Sequence, residues 1–308
     1  MNDYSAHVSV LKEESLNFLT DPLKEKTSEI FYFADLTFGA GGHSLALVER
    51  DTRIKLFSTD QDPEALANGH ALINEKQVKD RLELLTMNFK SFPEYFKTHH
   101  PEKKLQGILM DLGVSSHHFD KGERGFSFRF EAPLDMRMNH HDDSIPTAAD
   151  LLNELPENEI ADLIYEYGEE RLSRVIAKRI VEARKEKRIE TTKELENICF
   201  HAYPARQRHG GAHPATRTFQ ALRIAVNREL SVLTDVIPQL IPLLAPGGRL
   251  AIISFHSLED RIVKVAFKEA ASRDEVALLT KKPTGPTEDE IKNNFRARSA
   301  KLRVIEKL

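Results

Sequence analysis

The chain has 308 residues, enough for one large domain or two ordinary ones, and is 40% hydrophobic and 30% charged. Its 44 basic and 48 acidic residues give a formal charge of −4, which excludes a uniformly basic nucleic-acid coat and leaves only a local patch for such a contact. The single cysteine, Cys199, excludes an internal disulfide, argues against a cysteine-based zinc site and suits a reducing compartment.

In chain order, the opening MNDYSAHVSV lacks the basic and apolar regions of a signal peptide. No later run approaches the roughly 18 apolar residues that span a bilayer. A soluble, cytoplasmic protein is expected. IFYFAD (residues 30–35) is an apolar, aromatic-rich run ending in an acid, and predicts a buried strand before the turn TFGAGG. HSLALVER then begins a helix. KLFSTD, ending at Asp60, is a second strand, and DPEALANGHALI opens a helix with Asp62 as cap before Pro63. RLELLTMN (81–88) and LQGILMDLG (105–113) are the third and fourth strands. Strands alternating with helices at this spacing predict a parallel sheet covered by helices.

The alternation stops after residue 115. AADLLNELPENEIADLIYEY, RLSRVIAKRIVEARKEKRI and TKELENICFHAY are helix-like and polar, and strand character returns only at APGGRLAIISFHS (245–257). About 136 residues separate Asp111 from Gly247, where a crossover unit takes about 30; the surplus of roughly 100 is the size of a small domain. The expected architecture is a doubly wound α/β domain (1–115 and 226–308) with a mainly helical insertion (116–225) after strand 4. VALLTKKP and SAKLRVIEKL are expected to pair antiparallel at the sheet edge, and PTGPTEDE (283–290) reads as an exposed loop.

The glycine turn DLTFGAGGHS (35–44) admits three readings. A phosphate-binding loop ends in Gly-Lys-Ser/Thr, but His43 follows Gly42 and no lysine is near. A dinucleotide fingerprint is matched only by Gly39 and Gly41, because Ser44 stands at its third glycine. The third is D-x-T-x-G-x-G, with Asp35, Thr37, Gly39 and Gly41 at alternate positions. It resembles the acid-plus-glycine signature of S-adenosylmethionine-dependent methyltransferases. In such a pocket, an acid ending the next strand accepts hydrogen bonds from a ribose diol. Asp60 lies about 20 residues past the glycines, where that acid belongs.

HVSVLKEES, DLTFGAGGHS, TDQDP, DLGVSSHHFDKGERGFSF, PLDMRM, YGEERL, HPATRTFQALRI, APGGRLAIISFHSLEDRIVK and FRARSAKLR occur in this order along nearly the whole chain. Together they resemble the bacterial RsmH (MraW) family of 16S rRNA cytosine-N4 methyltransferases. The resemblance implies a class I methyltransferase domain with an inserted helical domain. It further implies S-adenosylmethionine as methyl donor, the small ribosomal subunit as partner, and one cytidine of the decoding region, in the P site, as target. Carried over by position, the cofactor contacts are Gly41, Gly42, His43, Asp60, Phe89, Asp111 and His118. Leu36 stands where small residues are usual, Phe295 stands where proline often precedes R-A-R-S, and QRHGGA carries an extra Gly-Gly pair.

Asp111, ending the fourth strand, lies at the usual ligand face of an open α/β sheet. It is a candidate to hold the cofactor's ammonium or, as a catalytic group, to accept from the cytosine amino group; the resemblance favours the first. DLGVSS has neither proline nor an aromatic, unlike the Asn/Asp-Pro-Pro-aromatic segment of DNA amino-methyltransferases. The segment 203–223 holds Arg206, Arg208, Arg217 and Arg223 without an acid, with Tyr203 and Phe219 as candidate stacking partners for RNA. GERGFSFR (122–129) is either a loop closing over a base or a source of core phenylalanines, Phe126 and Phe128. SFHSLEDR offers Ser254, His256 and Asp260 on one face, with helix capping as the competing role for Ser257 or Asp260. Adjacent His117–His118 and His140–His141 are not spaced for zinc, and no metal is expected. Methylation of DNA or a small molecule, and a non-catalytic assembly factor binding RNA and cofactor, are the rival functions. The sequence leaves open whether the chain acts as a homodimer.

Overall fold

The computed structural model describes residues 9–25, 27, 30–114 and 122–308. The chain divides into two compact units, Met1–Gly113 with Leu230–Leu308, and Val114–Glu229.

The first unit is built on seven strands: β1 (Phe31–Asp35), β2 (Ile54–Asp60), β3 (Leu82–Thr86), β4 (Leu105–Asp111), β5 (Leu244–Ser254), β6 (Val276–Leu278) and β7 (Lys301–Lys307). They lie in the order β3-β2-β1-β4-β5-β7-β6. The pairs among β1 to β5 are parallel, and β7 runs antiparallel to both β5 and β6. This is the class I methyltransferase architecture. The two late runs pair as expected, with β7 inside the sheet and β6 at its edge.

Successive residues of each strand point to opposite faces, and helices cover both, so the strands are apolar on both sides. On one face Phe57, Met110 and Ile252 pack with Phe92 and Phe96 of α4 (Phe92–His99), Val236 and Leu240 of α10 (Glu229–Leu240), and Phe267 of α11 (Ser257–Ser272). On the other, Phe33, Leu109 and Ile253 meet Leu16 and Leu19 of α1 (Lys12–Thr20) and Leu47 of α2 (Gly42–Arg50). Phe33 and Phe96 are essentially inaccessible; truncating such a residue to alanine costs about 3–5 kcal/mol. No helix among the described residues is long and apolar enough to cross a membrane.

The second unit is helical: α5 (Ala148–Glu154), α6 (Glu157–Gly168), α7 (Ser173–Glu186), α8 (Thr192–Ala202) and α9 (Thr216–Asn227). The run AADLLNELPENEIADLIYEY forms two helices, because Pro156 removes a backbone donor and holds Leu155 extended (φ −67°, ψ 147°). Reciprocal caps start α5 (Thr147 with Asp150) and α8 (Thr191 with Glu194). Ile160, Ile164, Ile180, Leu195 and Leu222 form the centre of its core. Cys199 is buried there, and burial pushes its thiol up to about 12, so it packs as a small apolar residue. One expectation needs correction. PTGPTEDE is not simply a loop: Thr284 bridges to Leu302, and Thr287 caps α12 (Glu288–Asn293).

Candidate active site

Asp35, Asp60 and Asp111 are the last residues of β1, β2 and β4, so three neighbouring parallel strands deliver three carboxylates to one end of the sheet. From β1 the chain winds to one side through β2 and β3 and then crosses to the other side of β1 as β4, and this reversal of strand order makes the crevice where open α/β sheets bind ligands. The glycine turn lies over it. Gly41 (φ +81°) ends the turn and caps α2, and a Cβ there would lie 2.7 Å from the Phe38 ring. A Cβ on Gly42 would lie 2.1 Å from the Ser9 hydroxyl. The left-handed backbone at Gly41 favours glycine, and a side chain at Gly42 would have to displace the Ser9 hydroxyl.

Each acid is held differently. Asp60 Oδ2 accepts from the Gly39 N–H (2.8 Å) and Oδ1 from the Asp62 N–H (2.9 Å), which ties the end of β2 to the glycine turn. Asp62 caps α3 (Pro63–Glu75) by accepting from the Glu64 N–H, as expected. Asp35 is fully buried and accepts from Ser44 Oγ (2.7 Å), which in turn contacts Ser58 Oγ (2.8 Å), and from the Thr37 N–H (3.2 Å). Burial pushes its carboxyl up to about 7, although the bonds from Ser44 and Thr37 pull it back.

Asp111 completes the group. Its backbone N–H donates to Thr37 Oγ1 (2.7 Å), so the motif threonine fixes the end of β4. Its Oδ2 lies 3.6 Å from His43 Nδ1, and among the described residues its buried Oδ1 has no hydrogen-bond partner. Burial, then the charges of Asp35 and Glu259, raise its carboxyl well above the usual range. His43, in the first turn of α2, is 5% exposed, and its Nε2 donates to the Val10 carbonyl (3.2 Å). That bond directs Nδ1 toward Asp111. Leu11 follows in a left-handed conformation (φ 50°), fully buried, with its N–H donating to Glu290 Oε1 (2.7 Å).

Phe89 begins the short turn Phe89–Ser91 after β3 and packs half-buried against the sheet. Asn88 caps this turn and donates to Gln61 Oε1 (2.8 Å), while the Met87 N–H donates to the Asp60 carbonyl, so Phe89 is held beside the end of β2. His118 lies outside the described residues. The structure thus brings Gly41, Gly42, His43, Asp60, Phe89 and Asp111 to one end of the sheet. His256 takes the role offered to Ser257 or Asp260. It caps α11, while Glu259 accepts from the Phe255 N–H (2.8 Å). Asp260 instead pairs with Arg303 (2.7 Å) and Lys301 (3.4 Å).

In the helical unit, Arg206 is exposed in the turn Ala205–Gln207. Arg208 donates to the Tyr203 carbonyl (3.0 Å) and lies over the Phe200 ring, and exposed Arg217 donates to the Glu169 carbonyl (3.1 Å). Arg223 forms a two-pronged pair with Glu229 at 2.8 and 2.9 Å, both side chains nearly buried. Phe219 is core: 4% exposed, it packs edge-to-face on Phe128, because helical periodicity turns it inward. Phe126 is core as well, and the Tyr203 hydroxyl donates to Glu170.

The MraW methylase family matches residues 4–308. The chain belongs to this family. "Ribosomal RNA small subunit methyltransferase H" of Heliobacterium mobile is 44% identical over 98% of this chain and 99% of its own length. The protein of that name from Picosynechococcus sp. is 47% identical, covering 97% and 96%, and that from Limosilactobacillus fermentum 41%, covering 98% of each.

A sulfonium cofactor with an ammonium group fits this MraW-family site on the chain's own chemistry. A buried carboxylate oxygen without a donor is costly, and a cationic N–H group at Asp111 relieves both the missing bond and the unfavourable charge. Reasoning from sequence missed the supports: Ser44 and Ser58 behind Asp35, the Val10 carbonyl behind His43, and Glu290. Serine at 44 was visible as the residue that breaks the dinucleotide fingerprint. Glu290, 279 residues from its partner, left no local signal.

Proposed function

We propose that this chain transfers a methyl group from S-adenosylmethionine to N4 of one cytidine in the decoding region of 16S rRNA, at the P site. The observation that carries the reading is Asp111: a buried carboxylate oxygen with no donor among the described residues, beside a glycine-capped helix start and in line with Asp35 and Asp60. The family and the names of the full-length relatives support the substrate.

When bound, the cofactor supplies an electrophilic methyl on a cationic sulfur. The residues do the positioning that an in-line displacement needs. Asp60, held by Gly39 and Asp62, accepts from the ribose hydroxyls. Phe89 packs on the adenine, and Gly41 and Gly42 let the chain pass close to the amino-acid end. Asp111 binds the ammonium, and Thr37 and His43 fix its orientation. Asp111 is also the candidate acceptor of the proton lost by the cytosine amino group. The helical insertion recognises rRNA through Arg206, Arg208 and Arg217. Arg223 serves Glu229 and His256 serves α11, so neither is placed on RNA. The work is then cytoplasmic, on ribosomal subunits.

The test incubates the protein with methyl-labelled cofactor and small subunits from a strain lacking this gene. Label in N4-methylcytidine of the 16S rRNA is expected; an unlabelled rRNA overturns the reading.

A further inference from the structure

FRARSA (residues 295–300) folds as a short turn, Phe295–Ser299, leading into β7. Its small residues anchor it: Ala297 is 0% and Ala300 3% exposed, both in the core beneath the sheet. Its large residues project. Phe295, at 70% exposure, is the most exposed large apolar side chain among the described residues, and Arg296 and Arg298 are exposed beside it. The Arg298 guanidinium lies 5.7 Å from the centre of the Phe295 ring. A lone exposed apolar residue is ordinary, but a phenylalanine with a guanidinium on its face is a partly organised stacking surface.

The fold puts this turn at the reacting end of the sheet. Because β7 is antiparallel, its first residue, Lys301, pairs with Ser254, the last of β5, while Asp111 pairs with Ile253. Lys301 and Asp111 are two strand spacings apart, about 10 Å. Thr284 bridges to Leu302, which brings the exposed Lys281 and Lys282 toward the same corner. Glu288 and Asp289 are the exposed acids of adjoining α12, and Asp289 is paired with Lys292 (3.2 Å). With Lys301 paired to Asp260, the charges of this corner among the described residues are still mainly cationic, on a chain whose net charge is −4.

We propose that Phe295, Arg296 and Arg298 form a platform on which an unpaired base of the RNA next to the methylated nucleotide stacks, with the arginines meeting its phosphates. The proposal rests on the rRNA reading above and adds a contact outside the cofactor site. Unpaired bases stack on aromatic rings and arginine planes whatever their sequence, and the charge of this corner matches a phosphate backbone.

The test uses the full chain and three readouts: anisotropy of a fluorescein-labelled single-stranded RNA 10-mer, calorimetry with S-adenosylhomocysteine, and methylation kinetics on small subunits. Phe295→Ala should weaken RNA binding roughly 5- to 100-fold and raise KM for subunits, while Phe295→Trp retains both. Arg298→Ala should lower RNA affinity and reduce the salt slope by about one. S-adenosylhomocysteine affinity should stay within about twofold throughout, since among the described residues the bonds of the turn involve none of those assigned to the cofactor. Phe295→Ala binding RNA like wild type, Phe295→Trp failing like alanine, or a change confined to self-association each overturns the platform. A wild type that binds RNA but never labels N4-methylcytidine breaks the functional reading instead and leaves the platform standing.

Discussion

The acids at the sheet end and the arginines of residues 203–223 are opposite ways of preparing a charge for a ligand. Asp35 is fully buried and Asp111 mostly so; they come from different strands and are fixed by Ser44, Thr37 and His43. Arg206, Arg208 and Arg217 come from one short segment, lie at or near the surface, and lean at most on backbone carbonyls or a ring. Burying a charge is expensive and exposing one costs almost nothing. A buried acid is therefore informative by its presence, whereas an exposed arginine informs only through its neighbours. On the proposed function, the sheet end would hold one molecule in one pose, and the arginine segment would meet a long polyanion.

The sharpest way to break this contrast is at the acids. Asp111→Asn should weaken S-adenosylhomocysteine by about 30- to 5,000-fold, the range for removing one partner of a buried charge pair. Calorimetry reads the affinity, and a melting curve should show stability unchanged or higher at pH 8, because a raised-pKa acid has been removed. Asp60→Ala should cost about 10- to 100-fold, as expected for lost charge-assisted hydrogen bonds, with the fold intact. Wild-type affinity in either variant removes that residue from the site.

A smaller effect follows pH. Asp35 has its folded value raised from the ordinary 3.8 to about 7, so the native state binds more protons across that window. Its contribution to stability is therefore full below about pH 4 and is lost as pH rises toward 7. Ligand affinity should run the opposite way, rising about tenfold from pH 5.5 to 8 as Asp35 becomes anionic beside the ammonium. Asp35→Asn should flatten both trends in urea titrations and calorimetry. A stability curve unchanged by that substitution contradicts the buried-acid account. The smallest effects belong to the other region. Arg206→Ala and Arg217→Ala should each cost about threefold in RNA affinity and lower the salt slope by about one, leaving cofactor affinity unchanged. Anisotropy at several salt concentrations checks this, and a strong loss from either alone would mean the segment is a fitted pocket.

The same difference explains what the sequence let one read. The sheet was legible because an apolar run ending in an acid recurs at Asp35, Asp60 and Asp111, and the β7–β6 pair because two apolar runs remained after β5. The glycine turn with Gly39 and Gly41, and Asp60 at the end of β2, could be placed by local spacing, whereas Gly42 and His43 came only with the family resemblance. Partners chosen by tertiary packing did not. Phe219 faces the core through a helical phase that its loop-like neighbours disguise. Arg223 is taken by Glu229, and His256 outcompetes Ser257 as the cap because Glu259 reaches back to the Phe255 amide. The insertion of β7 between β5 and β6 depends on pairings some 50 residues apart in sequence, which no local pattern encodes.

That insertion sets an order of assembly. β7 follows every other strand in the chain, yet it pairs with β5, which in turn borders the strand carrying Asp111. While a ribosome is making this protein, β5 stays an unsatisfied edge until residues 301–307 have emerged. An apolar strand left open in this way is a template for mispairing. Glu290, which holds the Leu11 amide beneath the start of α2, also arrives late. The cofactor crevice, drawn almost wholly from residues before 112, is thus finished from the far end of the chain, and a stalled fragment would carry the right acids in a site not yet closed behind them.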